Sequence, residues 1–302
     1  MSGISTNRTD ITLPSDVSAE ILQKVQEESA VMRLAKQVTL PGRGLTIPVV
    51  TGDPSASWVA ETDEKPVSNP GLSTKLMEAF TLSVIVPFSN QFRRDARALY
   101  DALVSRLPGA LAYKFDQTVV GAVAKPGANF DNLAGCTAQS LVAGVGHTAY
   151  NALVAAFTDI AEAGYALDGY ALSPSGQGLL LNATDSDGRP LFVNSAADGA
   201  IPRILGARTT MGRGIYKAGS AAAGSSSGSP AIVGIAGDWQ QAVYGTVEGV
   251  QISISDQATL TSGTDQINLW QRNMFAVRAE IEIGFRANTG AFNLLTGAIP
   301  EA

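Results

Sequence analysis

The sequence predicts an α+β fold. Three observations carry that reading: a hairpin-like alternation near the N-terminus, an amphipathic helical pattern directly behind it, and mixed helix and strand patterns through the remainder. Leu76, Phe80, Leu82, Val84, Val86 and Phe88 recur at even positions with Lys75, Thr81 and Ser83 between them, the period-two signature of a half-buried strand. The partner arm is Gly44–Glu61. Between the arms, Thr62–Gly71 holds prolines, an asparagine and a glycine that favour a turn, and charges that suit a solvated tip. A hairpin that protrudes in this way is built to reach a neighbouring chain.

The other elements follow in order. Residues 1–13 read as a flexible arm, after which Ser15 or Asp16 can cap a helix running to about Val38, with Ile21, Leu22, Val25, Val31 and Leu34 as an irregular apolar face. Asp95 starts a second helix in which Ala96, Leu99, Leu103, Leu107, Leu111, Phe115 and Val119 fall three or four apart. Pro108 and Gly109 interrupt it, and because a proline inside a helix forfeits a hydrogen bond, a kink or break is expected there. Ala149–Ala163 reads as a helix, Tyr165–Pro174 as a strand with a turn, and Ile204–Met211 as the lead-in to another strand. Gly224–Ser229 is a glycine and serine loop with little to pack. Thr246–Ala287 contains two strand-like runs separated by Ser255–Asp265.

Composition narrows the function. A chain of 302 residues can bury a substantial core, and with 45% hydrophobic but only 16% charged residues it has little charge for a fully solvated exterior. A subunit that buries much of its surface against neighbours has this composition. The net charge of -6 argues against gripping nucleic acid, which needs clustered lysine and arginine; the run Arg93, Arg94, Arg97 is too short to change that. Cys136 is the only cysteine, so the fold relies on packing without an intrachain disulfide. No stretch approaches the roughly 18 apolar residues of a membrane span, and Met1–Asp10 lacks a signal sequence's basic and apolar regions.

Candidate enzyme sites are poor. Gly224–Gly228 matches G-x-S-x-G around Ser226, but in a serine-rich linker and not on a strand-to-helix turn; His147, the sole histidine and only available base, lies just before a helix, where a capping or surface role is expected. One cysteine and one histidine cannot make a zinc site, and Asp185–Gly188 lacks the further ligands of a calcium loop, so no metal is expected. Neither Gly144–Gly146 nor Gly212–Gly214 completes a dinucleotide fingerprint, and no cofactor is expected. Trp58, Trp239 and Trp270 read as core or interface aromatics.

The hairpin followed by Ser89–Leu107, then Lys125–Gly135, Ala171–Phe192 and Asn268–Ala287, resembles in order and spacing the major capsid proteins of tailed bacteriophages, the family with the HK97 fold, over nearly the whole chain from Leu13. The resemblance implies an N-terminal arm and helix at 1–37, an extended hairpin (E-loop) at 38–90, a discontinuous peripheral domain with a long spine helix at 91–130 and 241–302, and an axial domain at 131–240. It implies a structural subunit that forms homo-pentamers and homo-hexamers, closes into an icosahedral shell around double-stranded DNA without sequence-specific binding, and is assembled in the host cytoplasm with no membrane involved. Portal and decoration proteins are implied partners. Because the sequence reaches its first helix almost at once, a separate scaffolding protein, or none, is expected.

Some members of that family cross-link subunits through an isopeptide bond, and alignment places Lys65 at the lysine, Asn273 at the asparagine and Glu280 at the assisting glutamate. The reading preferred here gives these three ordinary polar roles, with no catalytic residue in the chain. An encapsulin-type compartment is the alternative within the fold, and a soluble α/β hydrolase using Ser226 and His147 the alternative outside it.

Overall fold

The computed structural model describes residues 15–42, 44–50, 58–59, 65, 67, 72–91, 104–142, 144, 148–184, 191–192, 203–221, 228–262 and 265–300. Helix α1 (Ser15–Glu28) stops well short of the expected Val38. Residues 30–35 turn, and strand β1 (Lys36–Thr39) follows. The helix ends there because Asp116 takes the Ala30 and Val31 amides, while Lys36–Thr39 finds a strand partner far along the chain.

Strands β2 (Leu45–Val50) and β3 (Leu72–Met77) pair antiparallel from Leu45↔Met77 to Val50↔Leu72, forming the base of the predicted hairpin. Strand β4 (Phe80–Ser89) does not continue that arm. The chain leaves the ladder at Glu78–Ala79, and β4 runs along a C-terminal strand from Phe80↔Ile283 to Ser89↔Met274. The single alternation read over Leu76–Phe88 therefore spans two strands in different sheets, because period two reports burial of one face and not the identity of the partner.

Helix α2 (Leu107–Val120) begins after a turn at Ser105–Arg106, with Pro108 in its first turn, where the missing amide costs nothing. The expected break is thus a helix start. The front of the predicted helix, from Asp95 to residue 103, lies outside the described residues. Leu107, Leu111, Phe115 and Val119 are all buried, as their spacing requires, and Gly121 at φ 78 closes the helix.

Next come β5 (Thr137–Ser140), α3 (Ala149–Glu162), β6 (Gly169–Leu172) and α4 (Pro174–Leu181). Thr148 caps α3 by accepting the Asn151 amide, and Ser173 caps α4 by accepting that of Gly176 while donating to the Val233 carbonyl at 2.8 Å. Ile204–Met211, expected as a lead-in, is a tight hairpin of β7 (Arg203–Ile204) and β8 (Ala207–Met211), turned at Leu205 (φ 49) and Gly206 (φ 83). Strands β9 (Ile232–Gly237), β10 (Ala242–Thr246) and β11 (Gln251–Ser255) follow. The expected separator Ser255–Asp265 folds into its own hairpin, β12 (Thr259–Ser262) with β13 (Asp265–Asn268), before β14 (Met274–Ala287) and β15 (Phe292–Thr296).

These strands make two main sheets. In the first, β14 is central: β4 lines one side, β11 and then β10 line the other, and β1 lies parallel to β10. The second has the order β5-β15-β9-β6-β8-β7. Residues 292–296 therefore pair with β5 and β9, in a different sheet from β10, β11 and β14.

One apolar core spans the first sheet, α2 and one face of the second. Phe115 meets Phe130, Tyr244 and Phe285 edge-on, with centroids 6.3, 6.5 and 6.0 Å apart. Trp239, fully buried, donates its indole N–H to the Gly169 carbonyl at 3.0 Å and stands against Phe292 at 5.2 Å. A second cluster under α3 and α4 covers the opposite face of the second sheet.

Candidate subunit interface

The hairpin is anchored at its base by one guanidinium. Arg286 on β14 donates through Nη1 to Asp131 Oδ1 at 2.8 Å, through Nη2 to Asn129 Oδ1 at 2.7 Å, and through Nε to the Leu76 carbonyl of β3 at 2.8 Å. Lys75, also on β3, donates to the Ala287 carbonyl at 3.1 Å and lies 3.7 Å from Asp131. Asp131 accepts the Ala287 amide at 3.2 Å and gives its own amide to the Phe285 carbonyl. The Arg286 and Asp131 side chains are only 11% and 18% exposed, so the pair is screened little by solvent. Gly284 completes the joint: a methyl at its Cα would run into the Glu78 carbonyl where the chain crosses from β3 to β4.

Beyond this rigid base the hairpin offers apolar side chains to solvent. Trp58 is as exposed as in an extended peptide, at 105%, and Val67 is nearly so. On the first sheet's rim Trp270, in the turn between β13 and β14, is 74% exposed, and on the second sheet Tyr150, Val154 and Phe157 form an exposed stripe along one flank of α3. Of the three tryptophans read as core or interface aromatics, Trp239 is core and the other two stand on the outside of the isolated chain. Tryptophan is the residue type most enriched where protein–protein contacts concentrate their binding energy, and these two are free to be covered by a neighbour.

The three residues aligned with a cross-link do not meet within one subunit. Lys65 is exposed in the hairpin tip. Asn273, at φ 51, accepts the Asn90 side-chain amide at 2.9 Å, and its carbonyl accepts the Asn90 backbone amide at 3.1 Å. Glu280 lies 3.2 Å from Arg278 Nε. Seven residues of extended strand separate Asn273 from Glu280 by roughly 23 Å, so only assembly could bring such a triad together.

No catalytic constellation appears among the described residues. Ser226, His147 and Asp185–Gly188 lie outside them. No group of three His, Cys, Asp or Glu side chains among the described residues could hold a metal, and no described helix is long and apolar enough to cross a membrane. Gly212 and Gly214 are packing glycines against Asp116. Cys136 donates to the Thr289 carbonyl, and burial pushes its thiol up to about 11, away from thiolate chemistry. Sequence reasoning missed Arg286, Asp131 and the buried Asp116; an arginine and an aspartate at intervals of many residues give no local signal.

Two sheets, a hairpin bonded to the first of them at its base and exposed aromatic side chains suit a structural subunit that is covered by other chains. The comparisons agree. The model of the phage capsid family matches residues 9–295, and the chain belongs to that family. It is 30% identical over 290 residues to a probable major capsid protein of Mycobacterium phage L5, covering 91% of this chain and 86% of that protein. Among solved structures, a chain of Mycobacterium phage Adephagia superposes with TM-score 0.70 at 24% identity, covering 91% of each chain. A chain of Gordonia phage Cozz gives 0.71 at 22% identity, covering 90% of this chain and 87% of that one. The fold is the HK97 type, and the protein is a capsid shell subunit of a phage virion, structural and not enzymatic.

Proposed function

We propose that the chain assembles as homo-pentamers and homo-hexamers into an icosahedral head enclosing double-stranded DNA. In this reading the first sheet with α2 is the peripheral domain, the second sheet with α3 and α4 is the axial domain that meets its counterparts at the ring centres, and the β2–β3 hairpin is the E-loop lying over the next subunit. The observation that carries it is the Arg286–Asp131–Lys75 anchor, which roots the hairpin on β14 while leaving Trp58 and Val67 uncovered. A loop held stiffly at its base loses less entropy when its tip docks on a neighbour.

The net charge of -6 supports a wall that holds no sequence-specific grip on the DNA inside. Assembly in the host cytoplasm, with a separate scaffolding protein, a portal through which DNA enters and a decoration protein, completes the proposal. Lys65, Asn273 and Glu280 act in it as polar and charged side chains without covalent linkage. Negative-stain electron microscopy of the purified protein, alone and co-expressed with scaffold, tests the reading: closed shells are expected. Only small soluble species under both conditions would overturn it.

A further inference from the structure

Where α1, α2 and the turn after β8 meet, a single carboxylate joins all three. Asp116 of α2 is 1% exposed; its Oδ1 accepts the Ser29 hydroxyl at 2.5 Å and the Val31 amide at 3.4 Å, and its Oδ2 accepts the Ala30 amide at 3.0 Å. Gly212 and Gly214 press against it from the third side: a Cβ on Gly214 would lie 2.5 Å from Asp116 Cβ, and one on Gly212 3.1 Å from Oδ2. Thr210 closes the junction by donating to the Ala30 carbonyl at 3.3 Å.

We propose that Asp116 is a protonation-controlled pin: neutral, it holds the end of α1 and the turn after β8 tightly on α2, and ionised, it loosens that junction. The charged side chains facing the same cleft are Glu28 from α1, Arg106 from the start of α2 and Arg213 from the turn after β8, with the titratable Tyr113 of α2 beside them. None of them bonds to the Asp116 carboxyl, whose partners are Ser29 and two amides. Burial, the largest influence, raises the carboxyl to about 7 against the pull of those three donors. A neutral carboxyl keeps the amide bonds and can exchange a hydroxyl bond with Ser29, whereas a carboxylate there is a buried charge with no cation on it.

The sign follows from linkage. With the closed-state value raised above the open-state one, each pH unit between about 4 and 7 makes opening about tenfold easier, and above about 7 the effect levels off. The junction couples the N-terminal segment to both sheets, so the pin sets how freely they move relative to one another near neutral pH.

The test is hydrogen exchange on the full chain from pH 5 to 8.5, corrected for intrinsic rates, following the amides of Ala30 and Val31. Wild-type protection should fall about tenfold between pH 5 and 6, about fivefold between pH 6 and 7, and level off above about pH 8, and Asp116→Asn, which carries no charge, should show a flat profile. A flat wild-type profile, or an Asn variant that keeps the wild-type response, would overturn the proposal. Should that variant fail to fold, infrared titration of the wild type decides: a carboxylic C=O band lost near pH 7 supports the pin, and its loss below pH 5 refutes it. Shell formation plays no part in this readout, so failure here leaves the capsid reading intact.

Discussion

Arg286 reaches back 155 positions to Asp131, and the 2.8 Å bond between them, with the Leu76 carbonyl on the same guanidinium, is what fixes the base of the hairpin to the main sheet. The pair is more screened from solvent than a surface ion pair, so it has mechanical consequence. Arg286→Ala should destabilise the subunit by about 3 kcal/mol, because it leaves Asp131 and the Leu76 carbonyl without their main donor. Arg286→Lys should recover only part of this, since an ammonium cannot span both oxygens in one plane. Denaturant midpoints of the unassembled chain measure both.

Gly284 faces the Glu78 carbonyl at a separation no side chain can share. Gly284→Ala should therefore cost about 1–3 kcal/mol, the usual penalty of overpacking, and displace the β3 to β4 crossing. The same substitution at Gly290, where an added Cβ would meet only Asn288 Oδ1 at an ordinary 3.7 Å, should change the midpoint by less than about 0.5 kcal/mol.

Trp270 and Trp58 project from the isolated chain. Trp270→Ala should leave the unassembled subunit's unfolding midpoint unchanged and still reduce the yield of particles several-fold, because an exposed side chain contributes only once a neighbour buries it. Deletion of Ala60–Leu72 should separate folding from assembly more severely. Sedimentation of particles against circular dichroism of subunits distinguishes the two effects.

Asp116 makes stability fall with rising pH. Its folded-state value lies near 7 against an ordinary 3.8, so its neutral form contributes stability that is complete below about pH 4 and lost as pH rises to about 7. About three pKa units correspond to ~4 kcal/mol across that window. Unfolding midpoints of Asp116→Asn should lack this fall, while wild type shows it.

Asn273 already holds Asn90, and Glu280 already pairs with Arg278. A boiled denaturing gel of assembled particles should accordingly show one band at the 31.3 kDa chain mass. A ladder of multimers that disappears in Lys65→Ala would show that the subunits cross-link.

What the sequence determined by itself is local. The spacing of Leu107, Leu111, Phe115 and Val119 names the buried face of α2, and Pro108 marks its start, because helical geometry and the missing amide act within a few residues. The alternation through Leu82, Val84 and Val86 likewise gives a half-buried strand. The tertiary structure alone decided partners: that β4 leaves the hairpin for β14, that Lys36–Thr39 becomes a strand beside β10, and that Phe292–Thr296 belongs to the second sheet. It also decided the chemistry of Asp116 and Arg286, one shielded by Ser29 and the 210–214 turn, the other paired across the fold. A period reports which face of a segment is buried; which distant segment buries it, and which charge is left without water, depends on contacts that no local pattern encodes.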